Sequence, residues 1–353
     1  MNELPLHQRM TLGERLQQLK PQVAEKVTQV FLERHPDWLR NYGERAREFG
    51  IQDAAFHIDF LRGAVESSSI QAFEDYCAWA AGVLKAHAIA SHFLVENLSQ
   101  IEAALASELS PQQQEVVARM MQAGRAACDR EKIRPAQPDT PLALTLAVYL
   151  QSILIGARAG SAQIVEEALQ NGAGVFDIYA QVFQESLYEV GRLWEEGKIT
   201  VSVEHRATAI TQFVMAGIYS RTLRAQPSVP LRQAVVTGVA GELHQIGANM
   251  VADVLENAGW NVEFLGTDAP HSGIVDAVRA QNSDLVCIST TMLFNVSQVV
   301  RLIRDLRAGS PRLRVLIGGA AYRNRPETRL HIGADGYAPD LLTAVEAADR
   351  LVS

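Results

Sequence analysis

The spacing of apolar residues changes twice along the 353-residue chain, and these changes predict a multidomain protein with three domains. From residue 1 to about 135, apolar side chains recur every three or four positions and glycine is scarce. Such spacing is typical of helices with one buried face. We therefore expect an all-α domain of five or six helices over residues 1–135, one of them capped by Asp53. The clearest run comprises Leu94, Leu98, Ile101, Leu105 and Leu109.

Residues 136–226 continue the helical spacing and predict a four-helix bundle. Gly197 is expected to end the third helix, because glycine is favoured just past a helix end. The fourth helix is expected to begin near Ser202, which places Glu204 and His205 in its first turn. Two proline-containing stretches, at residues 134–141 and 224–231, cannot continue a helix and therefore separate this bundle from its neighbours.

Residues 227–353 change to short β-rich runs that alternate with helical stretches. The runs read AVVTGV, VEFLG, LVCIST and RVLIGG. Strands that alternate with helices at this spacing form a parallel, doubly wound sheet. We therefore expect an α/β, Rossmann-like domain that follows the four-helix bundle.

Composition and charge narrow the classes of partner and location. The chain is 48% hydrophobic and 20% charged, as expected for a globular protein. Its net charge of −8 disfavours nucleic-acid binding, since phosphates would require a basic face. The sequence has no apolar run long enough to span a membrane and no signal peptide at its amino terminus. The three cysteines fit a reducing compartment, and we expect a cytoplasmic protein.

The segment GELHQIG, residues 241–247, carries the most informative chemistry. It places His244 after a predicted strand and before a predicted helix, in the loop region where open α/β sheets bind ligands. Glu242 can accept a hydrogen bond from one ring nitrogen and leave the other free for a metal. In isolation, a histidine that lines a loop would be the more frequent explanation.

The same segment resembles the cobalamin-binding fold shared by corrinoid methyltransferases and cobalamin mutases. The usual signature is an aspartate, one residue, a histidine, two residues and a glycine, and here Glu242 replaces the aspartate. The resemblance implies that His244 binds cobalt as the lower axial ligand and that the nucleotide tail of the cofactor enters the sheet. It also implies a set of cofactor-binding residues: Glu242, Leu243, Gln245, Ile246 and Gly247 around His244, Ser289, Thr290 and Thr291 at a strand end, and Gly318, Gly319 and Ala320 beside the buried base.

A second motif lies in the predicted bundle, where Trp194 is followed by nine residues and then by Glu204 and His205. This spacing resembles that of light-responsive, cobalamin-dependent transcriptional repressors. The resemblance implies adenosylcobalamin as cofactor, with Trp194 over the adenosyl group and Glu204 bound to its hydroxyls. A core tryptophan and a glutamate at a helix start would explain the same residues. Glu195 departs from the family, which has a histidine there, so a bis-histidine photoproduct cannot come from this position.

The amino-terminal domain lacks the basic character of a DNA-binding module. Its layout beside a cobalamin unit resembles photocobilins, which implies biliverdin as a second chromophore. No spacing in this region is specific, and a dimerisation or partner-binding bundle remains an alternative. Cys77 is a tether for a bilin or, more simply, a buried thiol. The other candidate residues are Trp38, Phe56, His57, Phe60, Tyr76, Trp79, His87 and His92.

These resemblances together predict a cytoplasmic light sensor without catalytic residues. Photolysis of the cobalt–carbon bond would shift the helical cap and change a homo-oligomer or an unknown output partner. The first alternative is a corrinoid methyl carrier of a methyltransferase system, which needs an open upper face for methyl donor and acceptor. A cobalamin-binding anti-repressor is the second alternative.

Overall fold

The computed structural model describes residues 4–130, 140–221, 232–323, 329 and 332–353. Both predicted boundaries, at 134–141 and 224–231, lie largely outside the described residues. The chain divides into two compact units. The first holds residues 4–130, and the second holds 140–221, 232–323 and 332–353. The predicted bundle and the predicted sheet therefore belong to one unit.

The described part of the first unit is all-α, as predicted. Asp53 does not cap a helix: it lies inside the third one, which begins after Gly43. Gly43 adopts a φ of +59°, a conformation that few residues other than glycine accept, and this turn sets the helix start. The helices are α1 (Leu6–Arg34), α2 (Pro36–Tyr42), α3 (Glu44–Ser67), α4 (Ile70–Ala86), α5 (His92–Ala106) and α6 (Pro111–Ala127).

The bundle of the second unit follows the prediction in its order and number of helical rods. The third rod is interrupted by a π-helical turn, Ile178–Phe183, which joins two α-helical pieces. Its four buried residues are Ile178, Tyr179, Val182 and Phe183. The helices are α7 (Ala143–Ile155), α8 (Arg158–Gln170), α9 (Val175–Asp177), α10 (Gln184–Glu195) and α11 (Val201–Ile218).

The remaining described residues form a five-stranded parallel sheet in the order β2-β1-β3-β4-β5. The strands are β1 (Gln233–Val239), β2 (Asn261–Ala269), β3 (Leu285–Ser289), β4 (Arg314–Gly318) and β5 (Gly336–Ala338). They alternate with α12 (Gln245–Asn257), α13 (His271–Gln281), α14 (Val296–Gly309) and α15 (Leu341–Val352). The order reverses between β1 and β3, so the loops after these strands flank the crevice where such sheets bind ligands.

Helix α12 lies between the bundle and the sheet. Ile246, Met250 and Val254 belong to the same hydrophobic core as the buried residues of the bundle. Ala248 and Ala252, on another face of the helix, pack into the core of the sheet. The bundle thus covers the helix that follows β1. Within the part of the chain that the structure describes, no helix is both long and apolar enough to cross a bilayer.

Candidate functional site

Glu242 and His244 form a hydrogen-bonded pair at the start of α12. The Nδ1 atom of His244 lies 2.6 Å from Oε1 of Glu242, and the same oxygen accepts the backbone N–H of His244 at 3.2 Å. The imidazole is 55% exposed whereas the Glu242 side chain is fully buried. Because Nδ1 is bound to the carboxylate, the Nε2 atom lies on the opposite side of a ring that is open to solvent.

The second oxygen of Glu242 is held by the loop between β3 and α14. Its Oε2 atom accepts the N–H groups of Thr291 at 2.8 Å and Met292 at 3.1 Å, and the amide of Asn295 at 3.2 Å. Burial by itself raises the pKa of this carboxyl group, but the bonds from His244 and from the two backbone N–H groups outweigh burial. The pKa of Glu242 consequently lies below its ordinary value of 4.5, and the group is an anion at neutral pH.

This arrangement fits a histidine that acts as a single metal ligand. An ionised carboxylate only accepts hydrogen bonds, so Nδ1 of His244 carries the proton and Nε2 keeps a free lone pair. Among the described residues, no group of three or more histidine, cysteine, aspartate or glutamate side chains is arranged to hold a metal. The exposed Nε2 of His244 can therefore supply one nitrogen ligand to a metal.

The loops after β3 and β4 meet closely beside this pair. The N–H of Thr290 donates to the carbonyl of Gly318 at 2.9 Å, and the hydroxyl of Tyr322 donates to that of Thr290 at 3.2 Å. A Cβ atom at Gly319 would lie 2.3 Å from the carbonyl oxygen of Thr290, and its φ is +104°. Only glycine fits this position, because any side chain would collide with the backbone of Thr290. This collision explains the glycine at position 319. Ser289 and Thr291 are half-buried, and Ala320 is exposed.

The predicted contact residues around His244 divide into two groups. Leu243 is 75% exposed, an unusual position for a large apolar side chain. Gln245 and Gly247 are also exposed. Ile246, in contrast, is 8% exposed and packs into the core shared with the bundle. It contributes to the placement of α12.

The residues of the second motif lie in the bundle as expected, at the end of α10 and the start of α11. Trp194 and Glu204 are half-buried, and His205 is exposed. Glu204 accepts the hydroxyl of Thr208 at 3.1 Å and is hydrogen-bonded to Nδ1 of His205. Glu204 is therefore engaged by neighbours on its own helix, as a glutamate in a first helical turn often is.

The candidates in the first unit are packed into a helical core or lie at its surface. Nδ1 of His57 is hydrogen-bonded to the hydroxyl of Tyr76 at 2.5 Å, and burial lowers the pKa of His57 to about 4. The ring of Phe60 stacks on Tyr76 with centroids 3.7 Å apart, and Cys77 is a buried thiol. Trp38 and Trp79 are half-buried, while Phe56, His87 and His92 are exposed.

Three residues that position the site were not found from sequence. Asn295 binds Glu242, Gln298 donates to the carbonyl of Ala240 at 2.8 Å, and Asp268 accepts the N–H of Gly241 at 2.7 Å. They stand 27 to 58 positions from the groups they bind, so no local spacing reveals them. Asp268 stands just after a predicted strand, whereas Asn295 and Gln298 lie five and eight residues past the end of theirs, so only Asp268 carried a signal in the sequence.

Comparison with known proteins identifies the family. A B12 binding domain family matches residues 232–346, and a second B12 binding domain family matches residues 146–218. Dimethylamine corrinoid protein 1 of Methanosarcina acetivorans is 32% identical over 176 residues, which are 47% of this chain and 78% of that protein. The chain belongs to the corrinoid protein family. Its cofactor class is accordingly a cobalamin, a cobalt corrinoid.

Two further proteins are similar over the same share of the chain or more. Dimethylamine corrinoid protein 3 of Methanosarcina mazei is 30% identical over 174 residues, 47% of this chain and 99% of that protein. The solved structure of a monomethylamine corrinoid protein from Methanosarcina barkeri is 20% identical, with a TM-score of 0.49. It covers 58% of this chain and 97% of that chain.

The membership in cobalamin-dependent photoreceptors expected from the tryptophan motif is wrong, and so is the light-sensor function drawn from it. The relatives are corrinoid proteins named for dimethylamine and trimethylamine. Trp194, Glu204 and His205 lie inside the range that matches a general B12 binding domain family. Their spacing is therefore not specific to light sensors. The predictions of light sensing, signal transduction and biliverdin binding rested on that resemblance and are no longer supported.

Proposed function

We propose that this protein is the corrinoid methyl carrier of a methyltransferase system, with His244 as the lower axial ligand of cobalt. The observation that carries the proposal is the Glu242–His244 pair, a buried anion that orients an exposed imidazole at the opening of α12. The names of the relatives, dimethylamine corrinoid proteins, supply the chemical class of the transferred group.

A bound corrinoid would supply a cobalt centre that accepts and releases a methyl group. The chain itself would hold and orient this centre. Glu242 keeps the proton on Nδ1 of His244, so that Nε2 keeps its lone pair for the metal. The loops that carry Thr290 and Gly319 would hold the displaced nucleotide tail beside the sheet, where only small residues leave room.

We expect the upper face of the bound corrinoid to carry a methyl group rather than an adenosyl group. Two acceptor sites of Glu204 are already used by His205 and Thr208, which leaves fewer for the hydroxyls of an adenosyl ribose. A methyl carrier needs only an apolar surface above the metal. Trp194, half-buried at the end of α10, would supply such a surface and would exclude water from the transferred group while the bundle stays closed.

As a carrier, the chain would act with separate methyltransferases for donor and acceptor. Its role would be that of a component of an enzyme system, with the chemistry of donor activation on the partner. Under this proposal each chain would hold one corrinoid, so the role requires no homo-oligomer.

The proposal is tested by methyl transfer to the loaded protein. The chain is reconstituted with cobalamin, reduced to the cob(I) state, and mixed with dimethylamine and a methyltransferase that acts on it. We expect the absorbance bands of cob(I)alamin to give way to those of methylcobalamin. Monomethylamine, trimethylamine and methanol, each with a matching methyltransferase, serve as parallel donors. A loaded protein that takes a methyl group from none of the four would contradict the carrier role.

A further inference from the structure

The bundle is bound to the sheet domain by two kinds of contact that differ in burial. At one end, a buried hydrogen bond joins the π-helical turn to α12: the hydroxyl of Tyr179 donates to Oδ2 of Asp253 at 2.6 Å. Tyr179 is fully buried and Asp253 is 4% exposed. Three residues further along α12, Glu256 accepts the hydroxyl of Tyr219 at 2.6 Å. Both bonds lie on one face of the helix.

Apolar packing reinforces this buried end. Met250 and Val254 of α12 share a core with Ile178 and Val182 of the π-helical turn. A π-helical turn inserts an extra residue into a helix and is often found at functional positions. Here its buried side chains belong to the core that α12 shares, and Tyr179 reaches α12 through its hydroxyl. We call the Tyr179–Asp253 and Tyr219–Glu256 bonds, with this packing, the base contact.

The second contact is exposed. Arg323, which follows β4, donates to the hydroxyl of Tyr188 on α10 and places its guanidinium 5.1 Å from the centre of the tyrosine ring. Tyr188 is 45% exposed, and Arg323 is exposed as well. Solvent competes for such a contact, which is therefore weak. Tyr188 lies less than two turns before Trp194 on the same helix, and we call the Arg323–Tyr188 pair the clasp.

A methyl carrier has to expose its upper face in each transfer, so the bundle has to open. We infer that it opens by release of the clasp while the base contact stays closed as a pivot on α12. This inference rests on the proposed function for the reason to open. The unequal burial of the two contacts decides where the opening occurs.

A pivot on α12 has a consequence for the lower ligand. Because α12 begins next to His244 and keeps its packing against both bundle and sheet, opening leaves the Glu242–His244 pair undisturbed. If the whole bundle lifted away, the apolar face of α12 would enter water at every transfer. Burial of that face makes this route the costlier one.

The experiment uses one probe for each end. For the base, Met250→Cys places a thiol in the core shared by α12 and the bundle, and its reaction with a maleimide reports whether that core opens. The parent protein, whose three described cysteines are buried, is the background control. For the upper face, the protein is loaded with aquocobalamin, and the rate at which added imidazole replaces the bound water is read from the absorbance.

Arg323→Gln removes the cation and the ring contact of the clasp. We expect the imidazole rate to rise about two- to fivefold, as for the loss of an exposed pair. When Arg323→Gln is combined with Met250→Cys, maleimide labelling should stay at the rate of the parent protein that lacks the introduced cysteine. Arg323→Lys keeps the positive charge and a donor for the Tyr188 hydroxyl. In this variant the rate of imidazole exchange should therefore lie between those of wild type and Arg323→Gln. Tyr179→Phe should raise the labelling at Met250→Cys at least about tenfold, since it leaves a buried carboxylate without its donor.

Two outcomes would overturn the inference. An unchanged imidazole rate in Arg323→Gln would show that the clasp does not limit access. An equal rise of imidazole exchange and Met250→Cys labelling in that variant would show that the bundle leaves α12 as a rigid body. Neither measurement involves methyl transfer, so failure of the carrier role and failure of the pivot are separate results.

Discussion

Glu242 and His244 share a 2.6 Å hydrogen bond although the carboxylate is fully buried and the imidazole is more than half exposed. The bond crosses the boundary between the protein core and the open crevice of the sheet. Its buried partner is fixed by three further donors from the loop after β3. A rigid acceptor behind an accessible ring is what a single protein ligand to a metal requires.

The first prediction concerns the stability contributed by Glu242. Glu242→Gln replaces an acceptor-only carboxylate with a group that turns an amide N–H₂ toward donors. We expect the free energy of unfolding to fall by about 2–3 kcal/mol, as for loss of hydrogen bonds to a charged group. Urea unfolding of the apo protein measures this change in the free energy of unfolding. Glu346→Gln, on the exposed face of α15 and paired with Arg350 one turn away, should change the free energy of unfolding by less than about 0.5 kcal/mol.

The second prediction concerns the close approach of the loops after β3 and β4. Gly319→Ala puts a Cβ atom 2.3 Å from the carbonyl oxygen of Thr290 in a residue with a φ of +104°. The variant should lose at least about 2 kcal/mol of stability. It should also take up cobalamin more slowly. Gly247→Ala is the matched control for stability, since nothing lies within 4 Å of its added methyl group in the first turn of α12. Unfolding of both variants at the same urea concentration would contradict the close packing at Gly319.

The third prediction concerns the pH dependence of stability. Burial raises the pKa of Asp253 to about 6, from an ordinary value of 3.8. The folded state therefore holds a proton that the unfolded state releases between these values, and ionisation of Asp253 weakens folding as pH rises through 6. Asp253→Asn removes this penalty and keeps an acceptor for Tyr179. The stability of the variant relative to wild type should rise by roughly 2 kcal/mol between pH 4 and pH 7.

The control for this pH effect is a surface aspartate with the opposite shift. Hydrogen bonding to Arg304 is the main cause that lowers the pKa of Asp305, a residue of α14 whose side chain is 44% exposed. Asp305→Asn should therefore show no gain in relative stability as pH rises. A difference between Asp253→Asn and wild type that stays constant from pH 4 to pH 7 would show that Asp253 is not buried against Tyr179.

The fold class followed from the sequence because its strongest signals are local. The helical spacing before residue 135 and the β-rich runs after residue 233 each correspond to observed elements. The prediction missed β5, since Gly336–Ala338 is three residues long and shows no alternation. Asp53 was placed at a helix end by residue type alone, whereas the turn at Gly43 decides where that helix begins.

The candidate site was predicted in its local part only. Glu242 and His244 are two residues apart, so the motif revealed them. Asn295 lies beside Glu242 because β1 and β3 are neighbours in the sheet. The order of the strands cannot be read from a short stretch of sequence. The tryptophan motif failed for a different reason. Its residues belong to a bundle common to B12 binding domains, and the spacing of Trp194 and Glu204 does not reveal which upper group the bundle covers.

The most direct test of the account is the electron paramagnetic resonance spectrum of the protein loaded with cob(II)alamin. We propose Nε2 of His244 as the axial ligand, and we therefore predict that uniform ¹⁵N labelling of histidine changes the nitrogen splitting of the cobalt signal in wild type. In His244→Ala the same labelling should have no effect, and His271→Ala, whose histidine binds Asp305 at the surface, should behave as wild type. A splitting that is insensitive to the label in wild type, or unchanged in His244→Ala, would contradict the account.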